Sequence, residues 1–239
     1  MKEKNRGARK VKPFDNWIKV LIFLFPLFCV AVLYIIFIKK EGFFARLIAE
    51  DSIFETIQFH LYFFSAIFSF FVFKYLKKRE EKKWKVYAFL LLSLAFCFIA
   101  FEEISWGQRI LGLNTPEWIA ERNAQRETTL HNLNPIQLKM HYLYIVIGVY
   151  GVLSRAFLQI FFRKHFTKLE IFTPEYFLIP YFLLAIIFWT SLNTFLLPHL
   201  TGDILASWQW QEVFEMLLAF GFFFYIFYTY RKVKVGRAE

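Results

Sequence analysis

Six long apolar runs alternate with short polar segments along this chain, covering about 17–38, 53–73, 86–101, 141–162, 176–197 and 204–230. At 1.5 Å per helical residue, runs of this size match the ~30 Å hydrocarbon core of a bilayer. A soluble domain of this length would alternate its apolar residues with polar ones, and these runs are too long for that. Local punctuation agrees. Ser52 and Glu55 form a capping box before the second run. Asn134 and Pro135 open the fourth helix ahead of its span, and Thr173 and Pro174 repeat that logic before the fifth. Pro198 stops the fifth, and Asp203 is an N-cap for the sixth. The first run follows a basic segment as a signal peptide would. It is too long for one, though, and continues into Lys39 and Lys40 without a small-residue cleavage site, so it reads as an uncleaved span. The predicted fold is an all-α membrane protein, with residues 1–239 as a single integral membrane domain of six transmembrane helices.

Charge sets the expected orientation. Of the 29 Lys and Arg, 21 lie in the N-terminal segment, the turn at 74–85, the turn after the fourth span and the C-terminal tail, against 7 on the other side. By the positive-inside rule both termini are cytoplasmic. Arg155, inside the fourth span, is close enough to the cytoplasmic end to snorkel there. The net charge of +10 is confined to these short segments, which argues against nucleic acid as a partner. The hydrophobic share of 58% and the 34 Phe fit lipid-facing and interhelical packing. Cys29 and Cys97 both fall in apolar runs and imply no disulfide framework.

The longest segment between spans, 102–134, is expected on the exoplasmic side as a helical cap loop. Thr115, Pro116 and Glu117 should open a short helix whose buried side is Trp118 and Ile119, at the membrane interface. Glu102, Trp106 and Arg109 fall at i, i+4 and i+7, on one face if the third helix continues. Glu103 has no partner at helical spacing. The same membrane face receives Glu55, Gln58 and Tyr62 from the second span and Gln211, Glu212 and Glu215 from the sixth. Asn193 and Thr194 come from the end of the fifth. Carboxylates in or beside hydrocarbon cost several kcal/mol unless paired, hydrated or protonated, which makes them functional candidates. Gathered at one face, they call for a cation, a basic partner or shared protons. Among the histidines, His131 is the best ligand or base, His141 comes second, and His60 reads as a packed or interhelical residue.

The strings FEEISWGQRILG (Phe101 to Gly112) and RNAQRETTLHNLN (Arg122 to Asn134) resemble an uncharacterised bacterial family of polytopic membrane proteins. That family carries an EEISWGQR string and then an N-x-Q-x-E-x-x-LHN segment. The resemblance marks Glu102, Glu103, Trp106, Gln108, Arg109, Asn123, Gln125, Glu127, His131 and Asn132 as its signature and implies no reaction. It also places the chain in a bacterial cytoplasmic membrane. EEISWGQRILG is more weakly similar to the EExxxR helix of CAAX-type intramembrane proteases. Here Gly107 stands at the Arg position, and no FxxxH segment follows on a span.

The leading expectation is a membrane-embedded hydrolase or transferase with an exoplasm-facing Glu/His pocket, acting on a lipid or a lipid-linked ligand. Its catalytic candidates are Glu102, Glu103, His131, Glu212 and Glu215. Its binding candidates are Glu55, Gln58, Trp106, Gln108, Arg109, Asn123, Gln125, Glu127, Asn132 and Asn193. A divalent metal ion is the cofactor that Glu103, His131 and Glu212 would suit. The competing readings are a carrier or receptor that binds a cation or protons, and a structural membrane subunit.

Overall fold

A computed structural model of the chain describes residues 16–49, 53–123, 126–193 and 210–235. The described residues are overwhelmingly helical, and their only β pairing is an isolated bridge between Asn123 and Leu133. The helices are α1 (Asn16–Lys39), α2 (Glu41–Leu47), α3 (Ile53–Lys78), α4 (Lys83–Glu103), α5 (Gln108–Leu111), α6 (Glu117–Ala120), α7 (Asn134–Phe161), α8 (Phe166–Leu169), α9 (Ile179–Asn193) and α10 (Gln211–Val235). Five of them are long and apolar enough to cross a membrane: α1, α3, α4, the Lys139–Phe161 part of α7, and α10. A sixth span exists if Arg163–Phe172 and Tyr176–Ser191, bent by 46°, are taken together. This is the architecture of a multi-pass membrane protein. Large apolar side chains on the spans lie bare, among them Leu91, Leu94, Val146 and Ile160. Water would not tolerate so extensive an apolar surface, whereas hydrocarbon would.

The element ends depart from the sequence reading in physically legible ways. α3 runs past residue 73 to Lys78, with the Lys74 and Lys77 ammonium groups over the Phe70 and Phe73 rings one turn back. Asn134, expected as an N-cap, is the first helical residue, and Leu133 takes the cap position. The short helix α2 has no counterpart in the sequence reading. Ser52, Pro198 and Asp203, with their cap and stop roles, lie outside the described residues, as do residues 204–209 of the sixth run.

α3 is central, with α4 on one side and α10 on the other. α10 also packs on α9, and α9 on α7, while α1 lies against α9 and α2. Ser93 donates to the Ala66 carbonyl (2.8 Å), tying α4 to α3. The Tyr181 hydroxyl donates to the Ile22 carbonyl (2.8 Å), tying α9 to α1. Gly148 and Gly151 let α7 approach α9 closely. A Cβ on Gly151 would fall 2.1 Å from Phe182 Cγ, and one on Gly148 would fall 2.9 Å from the Phe182 carbonyl oxygen. Small residues are the usual means of such approach where lipid supplies no hydrophobic driving force between helices.

Three sequence expectations are corrected. Arg155 does not snorkel to the surface. It is buried and paired with Glu170 (3.4 Å) and Glu175 (3.1 Å), while Lys232 bonds the same two carboxylates at 3.2 and 2.6 Å. The chain reverses after α7, so that Phe172 and Thr173 lie beside Tyr150 and Arg155 and the acidic side chains of Glu170 and Glu175 reach the arginine. His60 is not interhelical: its ring contacts, the Phe59 ring and the Thr56 carbonyl, lie on its own helix. It is exposed, and its Nδ1 lies 2.7 Å from the Thr56 carbonyl, to which it donates. The third helix does not continue past Glu103 to carry Trp106 and Arg109 on one face. Ser105 (φ 48°), Trp106 (φ 56°) and Gly107 (φ 74°) turn the chain through the left-handed region. A non-glycine residue there costs about 1–3 kcal/mol, so the surroundings must hold it.

Candidate functional site

Two neighbouring glutamates at the end of α4 face different environments. Glu102 is buried and serves the following loop. Its Oε2 accepts from the backbone N–H groups of Leu130 (2.7 Å) and His131 (3.0 Å), and lies 3.1 Å from His131 Nδ1, which donates to it. Its Oε1 accepts from the Trp106 indole, whose ring stacks on Phe101. The left-handed turn is thus held by the carboxylate just before it.

The loop's polar signature is knitted mostly to itself. Ser105 donates to Glu127, and Gln108 donates to Thr115 while accepting from the Thr128 N–H (2.9 Å). Asn123 donates to the Thr129 carbonyl (2.8 Å) and hydroxyl (3.1 Å) and accepts from the Glu127 N–H (3.3 Å). Asn123, Glu127, Thr129 and Asn132 are all buried. These groups build the loop's shape, and satisfied buried polar networks of this kind rigidify a segment. The Thr-Pro-Glu start holds, with Pro116 as the cap of α6. Trp118, expected on the buried side, is exposed, and Ile119 is half-buried. The rim of a membrane-embedded protein is a common place for a bare tryptophan.

Glu103 belongs to a second group, shared among helices. Glu103 lies within electrostatic reach of Glu215, Glu212, Glu55 and Glu102. Glu212 accepts from Gln58 Nε2 (3.1 Å), which also reaches the Glu212 backbone carbonyl (3.3 Å). Glu215 accepts from Gln211 Nε2 (2.9 Å) and from the Tyr144 hydroxyl. Tyr62 lies within electrostatic reach of Glu103 and Glu215, and His131 within reach of Glu212. Four elements therefore converge: α3 with Glu55, Gln58 and Tyr62, α4 with Glu103, α7 with Tyr144, and α10 with Gln211, Glu212 and Glu215. Gln58 is completely buried, and its Oε1 has no donor among the described residues; the buried Trp210 indole N–H, at the start of α10, likewise has no acceptor there. A buried group left unpaired costs about 1–3 kcal/mol, so such positions suit water or a ligand.

Of the residues singled out from sequence, the structure brings Glu55, Gln58, Glu103, Glu212 and Glu215 together. It puts Glu102, Trp106, Gln108, Asn123, Glu127 and His131 in the adjoining loop network. Gln125 and Thr194, and the side chains of Arg109 and Asn193, lie outside the described residues. Glu103, His131 and Glu212 do not form a ligand set, since no group of three or more His, Cys, Asp or Glu placed to hold a metal occurs among the described residues. The reason is local: the His131 ring is held by Glu102 on the loop side, while Glu103 looks toward α10. Tyr144 is a member that the sequence does not pick out. Its hydroxyl is one of two in the stretch YIVIGVY, and nothing local reveals that it, rather than Tyr150, meets Glu215. No protein family, no curated protein and no solved structure matches the chain.

Proposed function

We propose that this is an integral protein of a bacterial cytoplasmic membrane whose interhelical carboxylate cluster is an acid–base site facing the exoplasm. It would serve a hydrolase or transferase acting on the polar end of an amphiphile. One observation carries the reading: Glu103, Glu212, Glu215 and the Gln58 carbonyl are acceptors gathered in one place, with few donors among the described residues. Such a site calls for protons, a cation or a ligand rich in hydroxyl or ammonium donors. A lipid-linked sugar or other polyhydroxyl headgroup meets that demand.

Within this reading a protonated carboxyl passes its proton to a leaving oxygen, a neighbouring carboxylate takes one from the attacking water or hydroxyl, and the cluster ends with the protons it began with. Gln58, Gln211 and Tyr144 fix the angles of Glu212 and Glu215. Glu102 and His131 are positioning residues that hold the described loop residues, 104–123 and 126–133, as a cap over the site. The same gathering of interhelical carboxylates also favours a second reading, a proton or cation carrier that binds and releases its charge without bond cleavage.

The test uses the purified chain in nanodiscs made from a total bacterial lipid extract, with lipids profiled before and after incubation. Loss of one lipid class with appearance of its headgroup, abolished in Glu103→Gln and in Glu212→Gln, supports the enzyme. Proton uptake by proteoliposomes, lost in the same variants and without lipid turnover, supports the carrier. Neither signal in the wild type, with unchanged stability in the variants, refutes both readings and leaves the structural subunit.

A further inference from the structure

At the opposite end of the bundle from Glu103, a cavity of about 590 Å³ opens between the start of α4 and the second half of α7. This falls in the ~300–1,000 Å³ range of small-molecule sites. Trp84 stands on one wall, Val149, Leu153 and Phe157 on the other, and Phe172 closes the end, stacked on Trp84. The wall is almost wholly apolar. The Tyr150 hydroxyl donates to the Phe172 carbonyl, and Ser154 Oγ is buried with no partner among the described residues. From Val149 to Phe162 the groove follows α7 for about 20 Å at 1.5 Å per residue, somewhat more than half of a ~30 Å hydrocarbon core.

The mouth is basic. Lys82 and Lys83 precede Trp84, and Arg163, Lys164 and Lys168 follow Phe162; all five are exposed. Of the acidic residues of this region, Glu81, Glu170 and Glu175 are engaged by Lys85, Arg155 and Lys232, which leaves the exposed Glu80 as one carboxylate against the five exposed cations. The free charge at the mouth is therefore positive, over a slot shaped for hydrocarbon. We infer that this groove is a binding site for an anionic phospholipid, with one acyl chain lying between α4 and α7 and the phosphate against Lys83, Arg163 and Lys164. Ser154 offers its hydroxyl to an ester carbonyl of the same lipid. The site is remote from the carboxylate cluster and does not depend on the function proposed for it.

The experiment uses the full chain in phosphatidylcholine nanodiscs doped with trace phosphatidylglycerol or phosphatidylcholine, either one carrying a photoactivatable acyl chain. Crosslinked peptides are mapped by mass spectrometry. The anionic lipid should label the Val149–Leu158 peptide at least about fivefold more than the zwitterionic one, the factor that one lysine or arginine near an anionic headgroup supplies. Leu153→Phe should abolish labelling of that peptide by both lipids. Ser154→Leu, a milder filling of the same slot, serves as the second variant should Leu153→Phe not fold. Neutralising Lys83, Arg163 and Lys164 to Gln should equalise the two lipids. Equal labelling by both lipids in the wild type would mean ordinary surrounding lipid and overturn the site, as would labelling that survives both groove-filling variants.

Discussion

Replacing Glu102 by alanine should loosen the loop while leaving the helices assembled. The carboxylate accepts four hydrogen bonds: two backbone N–H groups, the His131 ring and the Trp106 indole. Glu102→Ala removes every acceptor at once, and a methyl group in that place has nothing with which to hold the left-handed turn at Ser105 and Trp106. Each bond is worth about 0.5–1.5 kcal/mol net, more when the acceptor is charged. Exposure on opening lets water recover part of this, so a net loss of about 3 kcal/mol is reasonable for the segment. At 1.4 kcal/mol per tenfold, that is roughly a 10²-fold faster hydrogen exchange at the Leu130 and His131 amides. Exchange mass spectrometry in nanodiscs should show the acceleration within 104–133 and little change in α3 and α10. Glu102→Gln should be intermediate, because an amide keeps one acceptor oxygen but presents a donor to at least one N–H. If Glu102→Ala left the loop amides as protected as in the wild type, the clasp would be wrong. Glu102 would then return to the same functional standing as Glu103.

Further consequences can be checked separately. Gly151→Ala should destabilise by about 1–3 kcal/mol, seen as a lower melting temperature in detergent, because its Cβ meets the base of the Phe182 side chain; unchanged stability would remove the close α7–α9 approach. Arg155→Met should cost about 3 kcal/mol by leaving Glu170 and Glu175 with Lys232 alone, and Arg155→Lys should recover part of it; equal stability of all three proteins would mean the buried cluster contributes nothing. Cysteine labelling should place Lys78→Cys on the cytoplasmic side and Arg122→Cys outside. Finding both on one side would end the six-span topology.

The spans were legible because hydrocarbon imposes a length and a composition on every crossing, and both can be read locally. The clustering of Glu55, Glu103, Glu212 and Glu215 was legible for a related reason: carboxylates at the same membrane face have few places to go. Their partners were not. Gln58 meets Glu212 across 154 residues, and Tyr144 meets Glu215 from the half of a span that carries no charged residue. Periodicity reports the face a residue occupies and says nothing about which helix covers it. The turn at Ser105–Gly107 escaped because WGQR extends the helical pattern of the preceding residues, and only the Glu102 and Glu127 contacts make a left-handed backbone tolerable there. The Arg155 cluster escaped because its acidic half lies in a segment that reads as a simple basic turn.

The order in which the chain is made has its own consequence for the carboxylate site. α3 and α4 are joined by a tight turn at 79–82 and can pair as soon as both have left the ribosome. α10, which covers Gln58 and brings Glu212 and Glu215, is synthesised after all the other described helices. Until it arrives, Gln58 and Glu103 have no α10 to turn toward and must face lipid, water or a helper protein. The newly inserted chain is therefore most vulnerable in the interval between release of α7 and docking of α10. Insertion factors that shelter polar residues in the bilayer should hold it longest there, and a chain arrested before α10 should be the form that membrane proteases recognise.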